Sequence, residues 1–305
     1  MTRKILIDCD PGTDDAIALW LALASPEIEV AMVTVVGGNV GLDVTLPNAR
    51  AIVSLAGRSD VPVVAGSSRA ILGAFPDAAE VHGEDGLGGV VLPEGMPAAS
   101  GLACDRIRDV LRAAGPDGLT LVGIGPATNL AQALLAEPAL AANIREIVLM
   151  TGAVTEGNIT PAAEFNAFCD PEALAVLLGF GRPVTLATLD VTNQALCTPA
   201  RIASLRAANG GSCAGATVDI WQRVRPSARS DFAGHEQHDP CALAWLVAPG
   251  LFTSRDVWAT VDLGPGPERG RTVFGVGAEP NARLLETVDA EGFFALLTER
   301  LPRLP

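Results

Sequence analysis

Along the first two thirds of the chain, short runs of β-branched and apolar residues alternate with Ala- and Leu-rich stretches, and this alternation leaves few folds open. Ile5–Ile7, Val30–Val36, Val61–Val64, Leu119–Val122, Ile147–Met150 and Val184–Leu189 read as strands. Between them, Asp14–Ala24, Leu46–Ala56, Asp105–Ala113, Thr128–Leu135 and Pro171–Leu178 read as helices. Strands that are apolar throughout, rather than at alternate residues, belong to a sheet buried on both faces. Repeated strand–helix units then specify an α/β fold, an open and mostly parallel central sheet flanked by helices with right-handed crossovers.

The last third changes pattern. Helical stretches at Arg201–Ala208, Thr217–Val224 and Cys241–Val247 precede Val257–Val261 and Thr272–Val276, which are expected to pair as a hairpin. A final helix is expected over Glu291–Arg300. No Pro/Gly/Ser linker or internal repeat divides the chain, so one large domain over residues 1–305 is expected. At 49% hydrophobic and 18% charged residues, it has ample material for a core.

Composition excludes several classes of function. A net charge of −14 argues against nucleic acid as a partner, because phosphate binding needs clustered Lys and Arg. The six cysteines include no C-x-x-C pair, which removes the usual zinc and redox patterns. The N-terminus turns acidic at Asp8 after three apolar residues, too few for a secretory segment. The longest apolar run, Ala16–Ala24, is far short of the roughly 20 residues of a membrane span. A cytoplasmic protein without membrane contact is expected.

In open α/β sheets, ligands bind beyond the carboxyl ends of the strands. Three unusual polar segments fall there: Asp8–Asp15, Gly37-Gly38-Asn39 and Thr151–Asp170. The first packs Asp8, Asp10, Asp14 and Asp15 around a Pro11-Gly12 turn. Acids at a helix start answer the helix dipole, which accounts for Asp14 and Asp15 but not for Asp8 and Asp10. Carboxylates crowded in a low dielectric repel by several kcal/mol or more, so a proton or a cation must compensate. An all-oxygen set suits calcium or magnesium, and a rigid carboxylate cage favours calcium. The D-x-D-x-[T/V] pattern of haloacid dehalogenase-type phosphatases fails here, because Gly12 stands where Thr or Val is required.

A second acidic site appears at His238-Asp239-Pro240, and the loop His82–Gly89 carries another of the three histidines. Between them, the segment Gly157–Asn166 places Asn158, Glu164 and Asn166 around Phe165. Such side chains offer the mixed donors and acceptors that sugar hydroxyls require.

Taken in order, these segments resemble the inosine–uridine-preferring nucleoside hydrolase family over nearly the whole chain. The resemblance rests on Asp8-x-Asp10-Pro-Gly-x-Asp14-Asp15, Gly37-Gly38-Asn39 and His82-Gly-x-Asp85-Gly-Leu-Gly-Gly89. It continues through Gly125-Pro-x-Thr-Asn129, Asn158-x-Thr-Pro-Ala-Ala-Glu164-Phe165-Asn166 and His238-Asp239-Pro240. It implies hydrolysis of the N-glycosidic bond of ribonucleosides to ribose and free base. It also implies Ca2+ held by Asp10, Asp15, Asp239 and the backbone carbonyl of Ile124. Ribose would meet Asp14, Asn39, Asn158, Glu164, Phe165, Asn166 and Asp239; Asp10 would activate water, and His238, with His82, would serve the leaving base. A homodimer or homotetramer is the usual assembly. A nucleoside- or ribose-binding sensor of the same fold is the alternative.

The chain departs from the pattern upstream of His238. It has no Tyr, and Trp221–Gln237 supplies Trp221, Arg223, Arg225, Arg229, Phe232 and His235 instead, to which no role is transferred. Purine-preferring members often carry Trp where His238 stands, so the resemblance leans toward pyrimidine or broad specificity.

Overall fold

In the computed structural model, which describes residues 2–76, 82–224, 234–275 and 279–305, the apolar runs pair into one large sheet. β1 (Arg3–Cys9), β2 (Ile28–Val35), β3 (Val63–Ala65), β4 (Leu119–Gly123), β5 (Ile144–Met150) and β6 (Val184–Ala187) are all parallel. A two-residue ribbon follows, β7 (Leu196–Cys197) against β8 (His235–Glu236). β9 (Phe252–Val261), β10 (Thr272–Gly275) and β11 (Ala282–Val288) complete the large sheet in the order β10-β9-β11-β6-β5-β4-β1-β2-β3.

The expected hairpin forms, with Thr272–Gly275 antiparallel to Trp258–Val261; Val276 lies outside the described residues. β11 was not expected. It runs parallel to β6 and antiparallel to β9, burying Ala282, Leu284, Leu285 and Val288 while Arg283, Glu286 and Thr287 stay exposed. Its polar residues hide the apolar run that marks the other parallel strands. The strand expected to reach Leu189 stops at Ala187, because the chain turns at Thr188 into a short helix.

The helices are α1 (Thr13–Ala24), α2 (Leu42–Leu55), α3 (Ala103–Ala114), α4 (Thr128–Ala136), α5 (Phe165–Cys169) and α6 (Pro171–Leu178). They continue with α7 (Leu189–Thr192), α8 (Pro199–Ala207), α9 (Ser212–Arg223), α10 (Asp239–Val247) and α11 (Ala290–Arg300). Ile5 and Ile7 point into a core shared with α1, α2, α9, α10 and α11; Leu6 points into the opposite core with α3, α4 and α6. Both faces of β1 are therefore dry, as its unbroken apolar run requires.

Two features of this layout place the site. The chain builds outward from β1 to β3, then returns to lay β4 on the other side of β1. That reversal opens a crevice beyond the carboxyl ends of β1 and β4. Helix α1, apolar almost all round, is buried along its length and packs against α10, so the N-termini of two helices meet over the crevice. Among the described residues, no helix is long and apolar enough to cross a membrane.

Candidate active site

The turn from β1 into α1 is held by the acids themselves. The Gly12 N–H donates to Asp15 Oδ2 at 2.8 Å and the Asp10 N–H donates to Asp15 Oδ1 at 3.2 Å. Asn39, arriving from the end of β2, donates its N–H to Asp10 Oδ2 at 2.8 Å. Its side-chain amide reaches the Asp10 carbonyl at 3.1 Å and Asp15 Oδ2 at 3.2 Å. A Cβ on Gly38 would lie 2.0 Å from Asp10 Oδ2, and one on Gly125 would lie 2.5 Å from Oδ1. Glycine at both positions is a steric condition for seating Asp10.

Asp239 enters at the start of α10, where its N–H donates to Asp14 Oδ2 at 3.4 Å. Although Asp14 and Asp15 leave α1 in different directions, one carboxylate oxygen from each and one from Asp239 all lie within 4.8 Å of one another. Burial, reinforced by the charge of Asp15, pushes the Asp10 carboxyl well above the usual carboxylate range. Burial and Asp14 raise Asp15 to about 7, and burial with the charges of Asp14, Asp15 and Asp10 raises Asp239 far above its ordinary value. Asp10 Oδ1 is buried and, among the described residues, has no hydrogen-bond partner. A buried carboxylate oxygen without a donor beside three other acids calls for a proton or a cation. The donor set is all oxygen, which fits a hard divalent cation.

The sugar-type residues gather on the β4–β5 side. Ile124 follows β4, and its carbonyl accepts from Asn166 Nδ2 at 3.1 Å; the same amide reaches the Met150 carbonyl at 3.1 Å. Glu164 caps α5, accepting from the Asn166 N–H at 2.8 Å and the Ala167 N–H at 3.0 Å, and also from the Gly152 N–H at 2.8 Å. Burial raises its carboxyl above the ordinary value. Asn158 is exposed, with Oδ1 accepting from the N–H of buried Phe165 at 2.8 Å.

The histidines arrive from three directions. His82 lies over the Gly12 turn, with Nδ1 at 3.3 Å from the Thr13 nitrogen; a Cβ on Gly12 would come within 2.6 Å of that ring atom. Burial lowers its pKa, favouring the neutral ring. His238 precedes Asp239, and its Nδ1 meets Thr192 Oγ1 at 2.7 Å. His235 on β8 is 5% exposed, its Nε2 meets no partner among the described residues, and burial lowers it to about 4. Of the other residues upstream of His238, Trp221 is buried and donates to Gln237 Oε1 at 2.8 Å, and Arg223 is exposed. Arg225, Arg229 and Phe232 lie outside the described residues.

Asp8 stands apart from this group. Its Oδ1 accepts from Thr34 Oγ1 at 2.6 Å and Asn129 Nδ2 at 2.8 Å, and burial raises the carboxyl to about 7. Asn129 also ties Ser67 and Val35 at 2.8 and 3.2 Å, so Asp8 anchors three strand ends. Thr13 and Thr192, which seat the two histidines, carried no signal in the sequence. A threonine in a helix is unremarkable until the fold shows what it faces.

A family model described as inosine-uridine preferring nucleoside hydrolase matches residues 5–295. A protein named pyrimidine-specific ribonucleoside hydrolase RihA, from Salmonella gallinarum, is 41% identical over 308 residues, covering 99% of each chain. A solved structure titled as a purine-preferring ribonucleoside hydrolase from Gardnerella vaginalis superposes with a TM-score of 0.91 at 34% identity, covering 98% of each chain. One titled inosine-guanosine nucleoside hydrolase gives 0.91 at 29% identity over 100% of both.

Proposed function

The chain belongs to the inosine-uridine preferring nucleoside hydrolase family, and from that footing we propose that it hydrolyses pyrimidine ribonucleosides with the help of calcium. The observation that carries this reading is the buried set of Asp14, Asp15 and Asp239 oxygens, beside an Asp10 Oδ1 that has no hydrogen-bond partner among the described residues. Asp10, Asp15, Asp239 and the Ile124 carbonyl are the residues that would hold the cation. When bound, calcium supplies the charge that offsets these acids and acidifies water in contact with it.

The rest is work for the chain's own groups. Departure of the base builds positive charge on the ribose ring, as in other glycoside hydrolyses. The carboxylates stabilise that charge more than they stabilise the neutral substrate, and only such a difference accelerates the step. Asn39, Asn158, Glu164, Phe165 and Asn166, with Asp14, orient the sugar. Asp10 takes the proton of the attacking water. His238 protonates the leaving base, while His82 contacts it. The pyrimidine preference is supported by His238 and by the name of the relative that is 41% identical.

The test is release of reducing sugar from uridine, cytidine and inosine, before and after chelation, with calcium or magnesium added back. Release from uridine and cytidine, lost on chelation and restored best by calcium, is expected. Calcium binding without ribose release from any nucleoside would identify a binding protein instead; inosine as the best substrate would overturn the pyrimidine assignment.

A further inference from the structure

The two histidines beside the acids are both anchored through Nδ1 to a threonine, but only His82 also meets a backbone N–H among the described residues. His82 Nδ1 faces the backbone N–H of Thr13 at 3.3 Å and the Thr13 hydroxyl at 3.2 Å. A backbone N–H can only donate, so this Nδ1 accepts and the neutral ring carries its proton on Nε2. Such a ring keeps a fixed N–H on Nε2, a donor suited to a carbonyl oxygen and not to giving the proton up.

His238 Nδ1 also faces a hydroxyl, Thr192 Oγ1 at 2.7 Å, but among the described residues no backbone N–H donates to it. Thr192 ends α7 and is fully buried, and the second neighbour of its hydroxyl is the Leu189 carbonyl at 3.5 Å. A hydroxyl turned toward that carbonyl presents its lone pairs to Nδ1 and accepts from an Nδ1–H. That hydrogen is present in the imidazolium, and it remains in the neutral ring formed when Nε2 has lost its proton. Both ends of a transfer from Nε2 are thus matched without moving the ring.

We propose that Thr192 is a positioning residue for protonation of the leaving base: its hydroxyl holds His238 Nδ1–H, which leaves Nε2 as the transferring atom and makes His238, not His82, the acid. The inference rests on the reading of His238 given under Proposed function. In the step, the bond from the sugar C1 to the base nitrogen breaks and its electron pair goes to the base. The base receives the Nε2 proton. Water adds its hydroxyl to C1 and gives its proton to Asp10. Nucleoside and water become ribose and free base, and solvent returns the proton from Asp10 to His238.

The experiment compares uridine with p-nitrophenyl β-ribofuranoside, whose leaving phenolate needs no proton, in calcium-loaded Thr192→Val, Thr192→Ser and His238→Ala proteins. For Thr192→Val, kcat on uridine should fall about 10- to 100-fold, part of the usual worth of general acid catalysis, with KM little changed. Its turnover of the nitrophenyl riboside should stay near that of the unaltered protein, and Thr192→Ser should recover most of the uridine activity. A structural role for Thr192 predicts equal losses on both substrates, and that result overturns the proposal, as does full uridine activity in Thr192→Val. His238→Ala separates the two levels of failure. If it shows the split between substrates and Thr192→Val does not, only the role of Thr192 falls; if His238→Ala shows no split, the acid reading falls and takes this one with it.

Discussion

Asp10 and Asp14 compete for one role at the level of single side chains. The family resemblance implies Asp10 as a calcium ligand and Asp14 as a sugar contact, yet the tightest set of carboxylate oxygens joins Asp14 to Asp15 and Asp239. Calcium titration by calorimetry decides between them. Affinity follows the charge of the ligand set, so Asp10→Asn is expected to weaken calcium by about 100-fold, and Asp14→Asn by under about 10-fold while raising KM. The reverse order would make Asp14 the ligand. A second residue-scale expectation concerns His235, lowered by burial from 6.5 to about 4. Between those values the unfolded chain binds a proton that the native ring refuses, so this residue's contribution to stability is full above pH 6.5 and is lost as pH falls toward 4. The loss amounts to about 3 kcal/mol. The buried carboxyls act in the opposite sense, so the measurement is a difference: urea unfolding of His235→Phe should lose less stability than the unaltered protein between pH 7 and pH 5. Single residues were legible in the sequence where chemistry crowds them. Four aspartates around one turn announce a charge problem, whereas Thr192 and His235 acquire meaning only from what the fold sets beside them.

Helices and strands were legible in proportion to how one-sided their surroundings are. β1 to β6 lie between two dry cores, and their apolar runs say so. β11 borders exposed β9, and Arg283 and Glu286 break its pattern. α5 is only five residues long and is capped by the polar Glu164, so no helical period can develop. The element joints are where polar residues matter most for stability. Asp170 caps α6 by accepting from the Ala173 N–H at 3.0 Å, and its other oxygen takes the Ile71 N–H at 2.8 Å and Thr128 Oγ1 at 2.6 Å. One buried carboxylate therefore joins α6, α4 and the segment after β3. Asp170→Ala is expected to cost about 2–4 kcal/mol in urea unfolding, more than a lost cap alone, because two further donors are left without acceptors. A cost under 1 kcal/mol would mean that water replaces the carboxylate freely.

The whole molecule shows why the fold class was readable and the site only partly so. Strand–helix alternation is local, and right-handed crossovers convert it into one topology. The site instead depends on α1 meeting α10, a contact between Asp14 and Asp239 that are 225 residues apart. Nothing local records that meeting; only the family motif did. A cation bound there stabilises the native state alone, so calcium at about 1,000 times its Kd should add about 4 kcal/mol, and chelation should lower Tm by several degrees. An unchanged Tm would place calcium outside the fold. The packing of α1 on α10 also has a meaning for synthesis. A chain emerging from the ribosome carries Asp10, Asp14 and Asp15 from its first moments, but the acid that completes the cluster arrives only after the sheet through β6 has been made. On the proposed ligand set, a chain broken off before α10 would hold Asp10, Asp15 and the Ile124 carbonyl but lack Asp239. A cation that needs Asp239 would therefore be held by its full ligand set only once translation has passed residue 239.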